Sequence, residues 1–199
     1  MIDVGGVVTK KDKAAAAKVA SRLARAQAEG LLVRVRRTLP GADVLDGFVV
    51  GVGSEWLALA RLSDRIELDG WSLLRLADVR SVKLEPDADC FEVRALHARG
   101  QWPPTDPGVP LDDTAAAVLG VGAAHPLVAV HRELDRPDVA WVGAVRGVKG
   151  ATLSLLEVGV QADWRRKLRS YDLDDITRLD FGGGYEEALA LVAGEAPDA

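Results

Sequence analysis

Alternating apolar and charged positions mark the first strand of the chain. In "LVRVRR" (residues 32–37), Val33 and Val35 alternate with Arg34 and Arg36. A period of two is typical of a strand with one buried and one exposed face. Further short apolar segments follow, with turn residues such as "PGAD" and "DRPD" between them. The pattern therefore predicts a mainly β protein, with Arg34 and Arg36 on an exposed strand face.

The same pattern occurs twice. Residues 31–53 match residues 126–150 at a shift of 95, and two single insertions in predicted turns raise the shift to 97 by the last strand. The matching pairs include Leu32/Leu127, Val33/Val128, Val35/Val130, Gly47/Gly143, Gly51/Gly147, Leu57/Leu153 and Leu76/Leu173. These identities fall on apolar and glycine positions, which specify a fold. We interpret the chain as a tandem duplication, with a first repeat at 1–104 and a second at 105–199.

Helical segments flank each set of strands. Residues 10–30 are rich in alanine and end on Gly30, which predicts a helix, and "LDDTAAAVLGVGAAHP" predicts a weaker helix capped by Asp112 or Asp113. The linker "GQWPPTDPGVP" has four prolines in eleven residues. Glycines inside the second strands predict a bulge or a bend, and "DG" at 69–70 predicts a turn. The expected class is α+β, with about five short strands in each repeat.

At "LVRVRRTLPGADVLDGFVVGVGSEWLALARL" and "LADVRSV" the order of elements resembles the Sm-like family. That resemblance implies an N-terminal helix and a bent five-stranded SH3-like barrel in each repeat, hence two tandem barrels. The chain is also similar to bacterial proteins of unknown function that share "DGFVVGVG" and "LDGWSLLRLADV". The Sm-like family reads RNA through residues that "GSEW" and "ADVR" do not match here, nor "GATL" and "DDIT" in the second repeat. The resemblance therefore implies a fold and no RNA site.

Bulk composition predicts a soluble cytoplasmic protein. The chain has 199 residues, 48% of them hydrophobic, and a net charge of −5. No apolar segment reaches the length of a membrane helix, and the first residues do not have the order of a secretory signal. Cys90 is the single cysteine, so neither an internal disulfide nor a cysteine-based metal site is expected.

Catalysis is not predicted. The three histidines do not have metal-ligand spacing, the serines lack the context of a nucleophile, and "GGG" at 182–184 lacks the lysine of a phosphate-binding loop. We expect no enzyme activity, no cofactor and no metal. A small hydrolase or ligand-binding protein is a third hypothesis.

Charge and tryptophan positions give the candidate binding residues. Residues 10–37 contain nine basic and two acidic residues, and "WRRKLRSY" at 164–171 concentrates positive charge in a predicted loop. Trp56 alternates with inward leucines, which predicts an exposed indole, and Trp71 is expected to begin a strand. The candidates are Arg165, Arg166, Lys167, Arg169, Arg34, Arg36, Trp56 and Trp71. Two alternatives stay open: helices cover the tryptophans, or nearby Asp172, Asp174 and Asp175 neutralise the loop.

These residues predict a non-catalytic binding or scaffold protein. Small barrels expose strand edges that bind peptides, other proteins or a second copy of the chain, so a protein partner and homo-oligomerisation through strand edges are expected. The alternative is binding of RNA or single-stranded nucleic acid through the basic helix and loop. No membrane association is expected.

Overall fold

The computed structural model describes residues 10–198, with side chains from residue 13 onward. Its helices are α1 (Lys10–Glu29), α2 (Phe91–Ala98), α3 (Thr114–Ala124) and α4 (Gly184–Ala193). The first five strands are β1 (Leu32–Arg37), β2 (Leu45–Val52), β3 (Trp56–Leu62), β4 (Leu68–Arg75) and β5 (Val79–Leu84). The other five are β6 (Val128–His131), β7 (Ala140–Lys149), β8 (Thr152–Glu157), β9 (Arg169–Asp172) and β10 (Arg178–Phe181). None of the helices in this part of the chain is long and apolar enough to cross a membrane.

The strands form one antiparallel sheet in the order β5-β1-β2-β3-β4-β10-β6-β7-β8-β9. Each half repeats the same arrangement, in which the fifth strand of the half lies beside its first. The registers also repeat, since Val33 lies opposite Gly47 and Val128 lies opposite Gly143. Bulges occur at the equivalent glycines Gly51 and Gly147, as the sequence predicts.

The α+β prediction is confirmed, but the sheet is open and continuous rather than two separate barrels. The physical reason is the pairing of β4 with β10, where Leu73 lies opposite Leu179. Each half uses an outer strand to extend the other half instead of closing on itself. The seam, defined here as the β4–β10 pair and its flanking side chains, therefore joins the two repeats.

Two hydrophobic clusters lie on opposite faces of the sheet near the seam. In the first, Val19, Leu23 and Ala26 of α1 pack with apolar residues of β1, β2, β3 and β5. In the second, first-repeat residues pack with α3 and with second-repeat strands. The members of this second cluster include Trp56, Ala58, Leu73, Val118, Val121, Val130, Ile176, Leu179 and Phe181. Hydrophobic packing therefore crosses the predicted boundary at 104/105, and that boundary stays a prediction.

Local signals explain the helix ends and one wrong turn. Gly30 adopts φ +62 directly after α1, and Asp113 caps α3 by accepting from the Ala116 N–H at 2.8 Å. The turn predicted at 69–70 is wrong, since both residues lie within β4. Gly70 is required for another reason: a Cβ there would lie 2.4 Å from the carbonyl oxygen of Phe181, so the seam needs the glycine.

A buried ion pair joins the two repeats beside the seam. Arg37 ends β1, and its guanidinium binds both carboxylate oxygens of Glu133, one of them at 2.6 Å. Their side chains are 0% and 2% exposed. The hydroxyl of Thr177 donates to the same carboxylate at 2.7 Å. Because both charges have left water, each is stable only while the other is present.

Replacement of Arg37 tests this pair. We expect Arg37→Met to lower the free energy of unfolding by about 3–5 kcal/mol, because Glu133 is then buried without its partner. The double variant Arg37→Met with Glu133→Leu recovers most of this loss, since it removes both charges. Urea denaturation measures both quantities.

The matched control is Arg34→Met on the same strand. Arg34 binds Asp46 at 2.8 and 2.7 Å on the exposed face, where water screens the pair. We expect a much smaller effect than for Arg37→Met. Equal losses for the two arginine variants would contradict the role assigned to the buried pair.

Candidate functional site

The basic segment, residues 165–169, follows a fixed anchor at Trp164. The indole N–H of Trp164 donates to the Ala193 carbonyl at 3.0 Å, and the ring packs against Leu127, Val158 and Leu189. The backbone N–H of Arg165 then donates to the Glu157 carbonyl at 2.8 Å. These contacts hold the start of the segment against the sheet, so its charges are presented from a rigid support.

The side chains of the basic segment are exposed. Arg165 pairs with Asp163 at 3.2 Å, and Arg169 lies 3.4 Å from Glu157. Arg166 and Lys167 have no carboxylate within 4.0 Å among the side chains that the structure describes. Two cations are therefore available to an external anion.

The predicted neutralisation by nearby aspartates is not observed. Asp172 accepts from the backbone N–H of Asp174 at 3.0 Å, as the cap of a short turn. Asp175 accepts from Arg132 at 2.6 Å. Among the described side chains, none of Asp172, Asp174 and Asp175 lies within 4.0 Å of a cation of the basic segment, so no ion pair forms between them.

An unpaired strand edge continues the basic segment. Arg169 begins β9, and β9 is the last strand of the order, so its outer N–H and C=O groups have no strand partner within residues 10–198. Its inner face is held by Tyr171, which donates to Glu157 and packs 5.6 Å from the ring of Trp141. Burial and the neighbouring Glu157 carboxylate raise the pKa of Tyr171, so the phenol remains a donor. Exposed backbone and positive charge therefore lie together.

Arg34 and Arg36 lie at the opposite end of the sheet order, on β1 beside β5. Arg34 is bound to Asp46, as described above, whereas Arg36 is exposed and lines a polar cavity of about 400 Å³ with Arg80. The candidates Arg34 and Arg36 are thus not part of one site with the basic segment on β9.

The two tryptophan candidates are also separate from the basic segment. The prediction that Trp56 is exposed is wrong: its side chain is fully buried, because α3 and the segment before it cover that strand face. Trp71 lies within β4 rather than at its start, is half-buried, and stacks on Phe181 at 5.8 Å between ring centroids. The alternative in which helices cover the tryptophans is therefore confirmed for Trp56.

Sequence reasoning missed a polar cluster around Asp180 at the seam. Arg178 donates to this carboxylate at 2.8 Å and Ser72 at 2.5 Å, and the imidazole of His131 lies 3.0 Å away. Arg61 lies 3.5 Å from it. The signal in the sequence was the alternation of Arg178 and Asp180, which indicates one shared strand face. A strand face that carries charged side chains is expected to face solvent unless the other repeat covers it.

This cluster does not have the geometry of an activated serine nucleophile. Ser72 and His131 both bind Asp180, and no hydrogen bond joins them to each other among the described residues. A serine nucleophile needs a base within hydrogen-bond reach. No group of three or more metal-ligating residues is found in the part of the chain that the structure describes.

Comparison of the chain with protein-family models, curated proteins and solved structures finds no match in any of the three. The Sm-like resemblance and the resemblance to bacterial proteins of unknown function therefore stay predictions.

The buried carboxylates predict loss of stability in acid. Burial opposes ionisation of Asp180, but the hydrogen bonds and charges of His131 and Arg178 outweigh it and hold the pKa of Asp180 well below its usual range. Burial likewise opposes ionisation of Glu133, while hydrogen bonds from Arg37 and Thr177 lower its pKa. At acid pH the unfolded state therefore binds more protons than the folded state.

Their contribution to stability is complete above about pH 5 and is lost as the pH falls towards the lowered values. Urea denaturation between pH 7 and pH 3 measures it. We expect Glu133→Gln to show a smaller drop than the unmodified protein over this interval. The same drop in both proteins would contradict the assignment.

Proposed function

We propose that the chain is a non-catalytic binding protein that takes an acidic, extended segment of a partner protein along β9. One observation carries this proposal: the exposed edge of β9 continues directly into the exposed cations of the basic segment. An extended segment gains main-chain hydrogen bonds by adding to a sheet edge, and side-chain charge then selects which segment binds.

The local charge favours an acidic partner. Arg166 and Lys167 have no carboxylate partner among the described side chains, and Arg169 is 66% exposed. A partner carboxylate reaching these cations forms charge-assisted hydrogen bonds without breaking a buried ion pair. Lysine and arginine beside a free edge also oppose pairing with another basic edge, which limits aggregation.

Nucleic acid is the alternative ligand for the same cations. Non-specific single-strand binding combines a positive groove with aromatic side chains on which bases stack. Trp56 is fully buried, Trp71 lies on a central strand, and Trp164 is used as an anchor. The net charge of −5 is also opposite to that of most nucleic-acid-binding surfaces. These observations favour the protein partner.

We also propose that each half corresponds to one Sm-like unit that has opened at the seam. Each half contains a helix followed by five antiparallel strands with a bulged second strand. An N-terminal helix and five strands in each repeat are the features that the Sm-like resemblance implies. The open sheet then results from two bent units that share an edge.

Charge reversal of the basic segment tests the binding proposal. The probe is a short peptide in which glutamate alternates with valine, because this composition is acidic and favours an extended backbone. We expect the peptide to shift the amide resonances of Arg169 and Ser170, with affinity that falls as salt rises. Arg166→Glu with Lys167→Glu should weaken binding by at least about tenfold.

The matched control, Lys13→Glu with Arg94→Glu, changes net charge equally at exposed positions on α1 and α2. We expect it to leave peptide affinity within about twofold. Equal weakening by both double variants would contradict the proposal. Tighter binding of a random single-stranded RNA pool, lost in the Arg166/Lys167 variant, would favour the nucleic-acid alternative.

A further inference from the structure

An apolar groove lies between α1 and the turn Leu76–Asp78, far along the sheet order from the basic segment. Its volume is about 460 Å³, which is within the range of ligand-binding pockets. Ala16, Ala20 and Ala24 form one side, and Leu76 and Val79 form the other. We call this cavity the α1 groove. Its small alanine side chains leave space that nothing in the described chain fills.

The internal repeat provides an equivalent of this groove in the second half. The helices align at a shift of 95, because α1 ends at Glu29 and α3 ends at Ala124. The turn Leu76–Asp78 aligns with the turn Leu173–Asp175 at a shift of 97. Each groove position therefore has an equivalent. The four whose equivalents hydrogen-bond Trp56 or Arg75 form the pairs Ala16/Leu111, Val19/Thr114, Leu76/Leu173 and Val79/Ile176, and Leu111 lies in the segment before α3.

In the second half, Trp56 and Arg75 of the first half bind the residues at these equivalent positions. The backbone N–H of Trp56 donates to the Leu111 carbonyl at 2.9 Å, and its indole N–H donates to the Thr114 hydroxyl at 3.2 Å. The guanidinium of Arg75 donates at 2.8 Å to the Leu173 carbonyl and at 2.9 Å to that of Ile176. Each of the four second-half residues thus accepts a hydrogen bond from Trp56 or Arg75.

Strand pairing accompanies this contact. Arg75 ends β4, which pairs with β10, and the Arg75 guanidinium lies 4.9 Å over the Trp56 ring. The strand equivalent to β10 in the first half is β5, the free first strand of the order. The first half therefore has the same two features that receive Trp56 and Arg75 in the second half: a groove beside a helix, and a strand, β5, whose outer edge has no strand partner within residues 10–198.

We propose that the α1 groove and the edge of β5 form a docking site for a strand of a different protein that places a large aromatic side chain in the groove. The site is distinct from β9 and shares with the proposed function only the premise that the chain is a scaffold. Aromatic anchors in pockets supply much of the binding energy at protein interfaces.

A second copy of this chain does not fit the site. The position of that copy equivalent to Trp56 is Thr152, which supplies no aromatic ring for the groove. Ser72 lies opposite Asp180 at the seam, and at a shift of 97 their equivalents are Arg169 and Lys83. If β9 of a second copy paired with β5 in the same register, Arg169 would therefore lie opposite Lys83. Like charges directly opposite each other on adjacent strands are destabilising.

Charge further defines the partner strand. Arg80 and Lys83 are exposed on β5, and Arg36 is exposed on the neighbouring strand β1. A strand with glutamate or aspartate opposite these residues gains complementary charge, whereas a basic strand is repelled. The docking segment is therefore acidic and carries one tryptophan, tyrosine or phenylalanine.

Two probes test the site with the full chain. N-acetyl-tryptophanamide tests the groove, and a hairpin peptide that copies residues 54–76 tests the groove together with β5. We expect both to shift the resonances of Ala20, Ala24 and Leu76, and the hairpin also to protect the amides of β5 from hydrogen exchange. N-acetyl-leucinamide, and a hairpin that carries alanine in place of Trp56 but keeps Trp71, should bind at least about tenfold more weakly.

Filling of the groove provides the matched comparison. Ala20→Phe places a ring in the groove and should weaken both probes by at least about tenfold, whereas Ala17→Phe, at an exposed position of α1 outside the groove, should change affinity by less than about twofold. Ala24→Leu is a second blocking variant, and circular dichroism confirms that each variant is folded.

Equal binding by Ala20→Phe and the unmodified chain, or probe shifts away from the groove, would overturn the proposal. Dimerisation of the chain that Ala20→Phe abolishes would identify a second copy as the occupant and would overturn the inferred partner. Either result leaves the basic segment and its acidic peptide untouched, because the two sites are measured with different probes and variants.

Discussion

The pairing of β4 with β10 joins the two repeats and determines what each of them buries. It makes ten strands into one sheet, and it buries charges that no isolated repeat would bury. Arg37 and Glu133 come from different repeats, and so do Ser72 and Asp180. Each buried charge is stable only while its partner is in place, so the seam cannot open without a large penalty.

The same pairing determines which surfaces are left to bind other molecules. The seam pairs β4 of the first repeat with β10 of the second. It leaves β5 and β9 as edge strands at the two ends of the described sheet. The seam also fills only one of two equivalent grooves, since Trp56 and Arg75 lie under α3 while the α1 groove is empty of side chains. Both proposed binding sites thus arise because the seam pairs one strand edge of each repeat and fills the groove of the second repeat only.

The sequence predicts the elements well, because periodicity, caps and glycines are local signals. Val33 and Val35 in strand alternation, Asp113 as a cap and Gly51 at a bulge are all found in the structure. It does not predict the seam, because contacts between repeats depend on tertiary packing. Trp56 was therefore expected to be exposed, whereas the second repeat covers it, and the buried cluster around Asp180 was not anticipated. The cations at 165–169 are exposed, as a charged segment with few long-range contacts predicts, although Arg169 lies in β9 rather than in a loop; their role in binding stays a prediction.

Native-state hydrogen exchange at the seam measures whether the two repeats fold as one cooperative unit. The account predicts that the amides of Leu73, Leu74 and Leu179 exchange only through global unfolding, with the same free energy as the most protected amides of either half. The amides of the edge strands β5 and β9 should exchange through smaller, local openings. Exchange of the seam amides at a distinctly lower free energy than the interior of each half would contradict it, because the repeats would then separate while both remain folded.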